Sequence, residues 1–405
     1  MVRSYGHRAT SHRFLHSLTI VLAFAVLSWV WASPVSAQIQ DRSKLVAALD
    51  SAAQAHAADS TVAGVSVAVS RRGDMLLHEG YGQANLEFDV PMPKDAVFEI
   101  GSVTKQFTAA AILQLAAKGS INLDAPITDY LPGYNTRGHR VTVRHLLHHT
   151  SGIRDYTILS EFRTLRHRRL SRDTVLSFVE REPFRFAPGT AMSYSNSGYY
   201  LLGQIIESAS GQSYAAYLQE HVLAAAGMES TFQCDERAVV EDRAHGYSWS
   251  KRGFRLRTRG SHHTWSYAAG GHCSTAADLV AWNQALHGGE LLPDPTYKEM
   301  AASGRLADGT TLRYGMGLAV PEDEGRRALG HFGGLAGFTS ASLYYPAADL
   351  IVVVLQNAWG PRPPWGLADE LAQVALGPGD EPEPTPYRGD LSALTGRYAG
   401  PARGG

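Results

Sequence analysis

Ser102 and Lys105 stand three residues apart in Phe98-Glu99-Ile100-Gly101-Ser102-Val103-Thr104-Lys105-Gln106-Phe107-Thr108. An apolar run from Val103 to Lys118 follows and Gly119 stops it, which predicts a helix that begins near the serine. Residues three apart share one helix face, so the lysine amine can reach the hydroxyl and activate it as a nucleophile. The first amides of a helix have no intrahelical partner, so they can hold the oxyanion of an acyl-transfer intermediate. A serine at a helix start is also an ordinary cap. Ser248-Trp249-Ser250-Lys251 repeats the spacing, but with basic neighbours, Gly253 behind it and no apolar run. Spacing alone therefore does not make Ser102 a nucleophile.

Two further elements accompany it. Tyr194-Ser195-Asn196 lies in a Pro-, Gly- and Ser-rich loop ahead of a helix-like stretch, Tyr200 to Ser208. A phenol beside a lysine cation can move protons, and a carboxamide can both donate to and accept from a substrate amide. Gly330-His331-Phe332-Gly333-Gly334-Leu335-Ala336-Gly337-Phe338 leads into the strand-like run Thr339 to Tyr345. Glycines on an edge strand let an extended substrate approach the backbone.

In this order and spacing, the three elements resemble the serine β-lactamase and penicillin-binding protein superfamily, and within it the class C β-lactamase, DD-peptidase and esterase branch. Leu146-Leu147-His148-His149-Thr150-Ser151-Gly152-Ile153, Gly227-Met228-Glu229-Ser230-Thr231 and Ser274-Thr275-Ala276-Ala277-Asp278-Leu279 are similar to recurrent stretches of that branch. The resemblance implies catalytic roles for Ser102 as nucleophile and for Lys105 and Tyr194 as the proton-handling pair. It implies substrate-binding roles for Asn196, His331, Gly333 and Gly334, with the backbone N–H groups of Ser102 and Gly334 as oxyanion hole. No Glu-x-x-Leu-Asn stretch stands where a class A deacylation glutamate would be.

The third element departs from the β-lactamase pattern. His331 replaces a lysine and, unperturbed, is charged only below about pH 6.5. Phe332 replaces a hydroxyl residue that helps to bind a substrate carboxylate. Both changes imply weak or absent β-lactam hydrolysis. The expected function is that of an exported serine hydrolase, working through a Ser102 acyl-enzyme on D-residue peptides, small esters or β-lactams. The alternative is a non-catalytic ligand-binding or β-lactam-sensing protein on the same fold.

Residues 1–37 read as a secretory signal peptide: Arg3, Arg8 and Arg13, an apolar run from Leu18 to Trp31, then Val35-Ser36-Ala37. The expected location is periplasmic or secreted, without stable membrane insertion once the leader is cleaved. The 405 residues carry a net charge of −1, which gives no general case for nucleic acid. Small molecules or short peptides, cell-wall peptides among them, are the expected partners. One stretch is locally basic, with Arg163, Arg166, His167, Arg168, Arg169 and Arg172, either a solvated helix face or a contact for anionic polymers. Neither the histidine pairs nor the rest of the chain shows metal-ligand spacing, and no cofactor is expected. Cys234 and Cys273 are the only cysteines, and can form a bridge or remain as two buried thiols.

The elements that must position these residues are legible as periodicities. Lys44 to Ala57 is helix-like, and Ala63 to Ser70 alternates as a strand that turns at Arg71-Arg72-Gly73-Asp74 into a second strand. Thr339–Tyr345 and Leu350–Leu355 form another hairpin, followed by a helix over Trp365–Ala375. Thr275–Ala285 is a further helix, with Thr275 and Asp278 as a capping pair. The fold class is α+β: an antiparallel sheet flanked by helices, with a largely helical region inserted over roughly 120–260. One hydrolase domain spans 38–376, with the active site in the groove between its two parts. Residues 377–405 form a Pro-rich linker and a tail that reads as a shortened further β-rich module.

Overall fold

The computed structural model describes residues 33–377, apart from 236, 258–259 and 324–325. Most of the expected leader, and the linker and tail from residue 378 on, lie outside the described residues.

Six strands build the main sheet: β1 (Gly64–Arg71), β2 (Asp74–Asn85), β3 (Val90–Pro91), β4 (Leu329–Leu335), β5 (Phe338–Tyr345) and β6 (Leu350–Gln356). Their order is β4-β5-β6-β1-β2-β3, antiparallel throughout. The two ends of the domain meet where β1 pairs β6, from Val65 opposite Gln356 to Arg71 opposite Leu350. That junction explains the sequence of β6, Leu-Ile-Val-Val-Val-Leu-Gln, which is buried along its whole length. A strand covered on both faces reads as a continuous apolar run.

Alternation assigns the two faces. Val65, Val67, Val69, Val352 and Val354 pack with Leu49 and Ala53 of α1 (Ser33–Ala57) and with Leu367 and Leu371 of the C-terminal helix Pro364–Leu376. Ala68, Ile351, Val353 and Leu355 turn to the other face, where α2 (Thr104–Ala117) lies in the core. Nearly every residue of α2 is buried, the polar Thr104, Lys105, Gln106 and Thr108 of its first turns included, so this helix runs through the core and not along its surface. Phe107 packs edge-on to Trp282 at 4.6 Å, and burial of such a ring contributes about 1.5–3 kcal/mol. Against α2 lie α3 (Asn196–Ser210) and α4 (His263–Gly270), and Trp282 of α5 (Ala276–His287) reaches it to donate to Gln106 Oε1 at 3.1 Å.

Some sequence expectations change. Between 120 and 260 the helices are interrupted by short strands, Phe232–Gln233, Tyr247–Ser250 and Gly253–Leu256. The last two form a hairpin that a returning segment, Ala358–Trp359, extends in parallel. Thr275 caps α5 by accepting from the Asp278 N–H at 3.2 Å. The Asp278 carboxylate does not return the bond. It accepts from the Ser230 N–H at 2.8 Å and the Thr231 hydroxyl at 2.7 Å, partners that satisfy a buried charge better than a helix end does.

Cys234 and Cys273 are bridged, with Cα atoms 5.2 Å apart, at the strand next to Phe98–Glu99. The unreduced, denatured protein is expected to show no free thiol with Ellman's reagent. Two reactive thiols would contradict the bridge.

Candidate active site

Ser102 sits in a tight turn, Gly101–Val103, at the head of α2, and Lys105 is fully buried one turn on. The Lys105 Nζ donates to Ser102 Oγ at 3.1 Å, to Asn196 Oδ1 at 2.8 Å and to the Ala269 carbonyl at 2.6 Å. The Asn196 amide is fixed from its other side, where Nδ2 donates to Asp155 Oδ2 at 3.0 Å. Asn196 is the first residue of α3, capped by Ser195, and not a loop residue. These bonds form one chain, Asp155–Asn196–Lys105–Ser102. Burial pushes the Lys105 ammonium down to about 7, and the Asp155 carboxylate pulls it the other way.

Tyr194 is hydrogen-bonded to Ser102, and its ring lies 4.7 Å from the Lys105 Nζ. Burial holds its phenol above the ordinary value, against the Ser102 hydrogen bond. The ring is 37% exposed to the groove, so the push is weaker than on the enclosed Tyr199, but it has the same direction. A Tyr194 phenolate therefore does not form near neutral pH. Lys105 is the member of the pair that titrates there.

The edge strand β4 closes the site. Gly330 exchanges backbone hydrogen bonds with Ala319, outside the sheet. At the strand's two-residue period, the Gly334 N–H points to the same open side. Gly101, with φ of 53°, brings the Ser102 turn against it: a Cβ on Gly101 would stand 2.8 Å from the Gly334 nitrogen. Ser102, Tyr194, Asn196 and Gly334 thus line one groove of about 880 Å³.

His331 and Gly333 are placed differently. His331 is buried beneath the groove, with Nε2 3.0 Å from the Tyr314 hydroxyl and Nδ1 2.6 Å from the Phe332 carbonyl. Burial and the neighbouring Lys105 hold it down to about 3, so it is neutral and presents no cation to a substrate. Gly333 faces inward, where a Cβ would meet the Ile100 carbonyl oxygen at 2.0 Å. Phe332 turns to the opposite face, against Trp365 at 6.0 Å, and away from any substrate carboxylate.

The structure adds residues that sequence reasoning missed. Asp155 follows the Thr150-Ser151-Gly152 stretch, and only its contact with Asn196 reveals it. His149, with φ of 60°, packs under Tyr194 at 4.3 Å, and its Nδ1 accepts from the Ser195 N–H. Tyr267 holds φ of 38° inside α4. This strained residue breaks the helix just before the carbonyls that serve Thr108 and Lys105, and strain of this kind clusters at functional sites. Trp265 is both core and groove wall. Among the described residues, no three His, Cys, Asp or Glu side chains form a metal-binding group, and no helix is long and apolar enough to cross a membrane.

Known proteins are similar to this chain in sequence and fold. A penicillin-binding protein of Bacillus subtilis (strain 168) is 28% identical over 306 residues, covering 72% of this chain and 67% of that protein. A D-aminopeptidase of Gluconobacter oxydans (strain 621H) is 30% identical over 345 residues, covering 83% of this chain, which spans 62% of that enzyme's length. The solved structure of D-amino acid amidase from Ochrobactrum anthropi SV3 complexed with D-phenylalanine superposes with a TM-score of 0.72 at 26% identity, over 82% of this chain and 98% of that one. The profile of the Beta-lactamase family matches residues 49–376, and the chain belongs to that family.

Proposed function

We propose that this protein is a serine acyl-hydrolase that cleaves amide or ester bonds of D-configured substrates through a Ser102 acyl-enzyme. The observation that carries this reading is the buried Lys105 amine, 3.1 Å from the Ser102 hydroxyl and held to about 7, where a base works best at neutral pH. Lys105 takes the hydroxyl proton as Ser102 Oγ attacks the substrate carbonyl. The Ser102 and Gly334 N–H groups hold the oxyanion. Tyr194, still protonated, gives its proton to the departing amine or alkoxide and is recharged from Lys105. Water then attacks the ester and regenerates Ser102. The named activities of the aminopeptidase and amidase relatives support the D-configuration. The neutral, buried His331 argues against efficient β-lactam recognition. The leader read over 1–37 and the Cys234–Cys273 bridge favour an oxidising compartment outside the cytoplasm.

The test is intact mass spectrometry of the protein quenched during turnover of a D-phenylalanine ester, with Ser102→Ala beside it. An adduct of the acyl mass on the wild type is expected, with neither adduct nor turnover in the variant. Turnover that persists in Ser102→Ala overturns the reading. Ligand-induced stabilisation without turnover by either protein would favour the binding-protein alternative.

A further inference from the structure

The groove beside Ser102 is lined by Arg166, His167, Arg255 and Arg257, and among the described residues no carboxylate lines it. The basic stretch of the sequence thus supplies two of these side chains to the site. Arg257 is already compensated, paired with Glu99 and laid over the Phe338 ring at 5.5 Å. Arg166 and Arg255 are not: among the described residues no carboxylate pairs with either, and the buried Arg166 Nε has no hydrogen-bond partner.

These side chains come from two segments held together. The Arg166 carbonyl accepts from the His262 N–H at 2.7 Å, and His167 Nδ1 lies 2.9 Å from the Gly260 carbonyl. Residues 260–262 lie four to six positions beyond Leu256, the end of the strand that carries Arg255, Gly253–Leu256. Arg257 packs on the turn between β4 and β5, because a Cβ on Gly337 would lie 3.0 Å from its Cδ.

We propose that this collar is an anion subsite that selects substrates carrying a carboxylate remote from the scissile bond, in the same groove as Ser102, with Arg166 and Arg255 binding it. The proposal rests on the acyl-hydrolase reading for the word substrate, but not for the binding itself. A guanidinium with no partner in a partly enclosed groove favours a carboxylate over a neutral group, and the preference weakens with salt.

The experiment is calorimetry on Ser102→Ala protein with two matched pairs, at low and at high salt. One pair is D-phenylalanyl-glycyl-glycine and its C-terminal amide. The other is glutaryl-D-phenylalanine amide and butyryl-D-phenylalanine amide. The anionic member of at least one pair is expected to bind about tenfold tighter at low salt, the lower end for a hydrogen bond to a charged group. The pair that shows it tells on which side of the scissile bond the carboxylate lies. Adding Arg166→Ala and Arg255→Ala is expected to bring the ratio to about one, and Arg255→Glu alone, at an exposed position, to reduce it. Equal binding within both pairs, or a preference that survives the double substitution or high salt, overturns the collar. Wild-type turnover is measured in parallel. Preference without turnover leaves the collar and removes the hydrolase reading, and turnover without preference does the reverse.

Discussion

Lys105→Met is expected to lower kcat/KM by about 10²–10⁴-fold, the usual contribution of a positioned general base. Methionine keeps most of the buried stem's volume and removes the amine that donates to Ser102, Asn196 and the Ala269 carbonyl. A thermal melt in parallel shows whether the variant stays folded. A folded variant with near-wild-type activity sinks the assignment of Lys105. The wild-type pH profile tests the same point from another side. Lys105 acts as a base only when neutral, and burial places its midpoint at about 7. Below that, kcat/KM is expected to fall about tenfold per pH unit. The titratable groups that face Lys105 are Tyr194 and Tyr199 across its ring contacts, His149, His331 and Asp155. Both phenols are pushed up and both imidazoles down, so all four are neutral near pH 7 and Asp155 is the carboxylate that stabilises the ammonium. Asp155→Asn is therefore expected to move the acid limb to lower pH. An unmoved limb, or a profile flat across neutrality, would remove this electrostatic account.

Gly333→Ala is the second large effect. The added methyl would stand 2.0 Å from the Ile100 carbonyl oxygen and 2.2 Å from the Ser340 hydroxyl that donates to it. The Ile100 carbonyl is backbone and cannot yield without moving the turn that carries Ser102. Overpacking of this kind costs about 1–3 kcal/mol. The functional loss is expected to be larger than the stability loss suggests, because a displacement of about 1 Å between the nucleophile and the Gly334 N–H can cost about 10²-fold in rate. Thermal melting and kcat/KM measured on one preparation check both parts. An unchanged kcat/KM would show that the turn tolerates the shift and that Gly333 does not set the site's geometry.

Much of this fold was legible because its elements are locally periodic. The alternation of Val65, Val67 and Val69 marked β1, and the turn at Arg72 and Gly73, both with positive φ, closed its hairpin where the sequence placed it. The long run behind Ser102 marked α2. The short strands between 120 and 260 were missed because two to four residues carry too little period to read. Phe332 was misjudged for a different reason. Its neighbours in the chain suggest a place beside a substrate, but strand alternation turns it to Trp365, and only the pairing register decides which face is which.

The sequence by itself determined the chemical inventory: a serine and a lysine on one helix face, a Tyr-x-Asn stretch, a glycine-rich strand, and two hydrophobic ends that had to pair. These are local properties, set by residue type and spacing. Tertiary structure decided the protonation states and the neighbours. It buried Lys105 against the Ala269 carbonyl, brought Asp155 to Asn196 across 41 positions, sank His331 beneath the groove and placed Arg166 and Arg255 in the lining of that one groove. Desolvation and charge–charge terms depend on distance in space and on water excluded by packing, and neither is written in the order of residues along the chain.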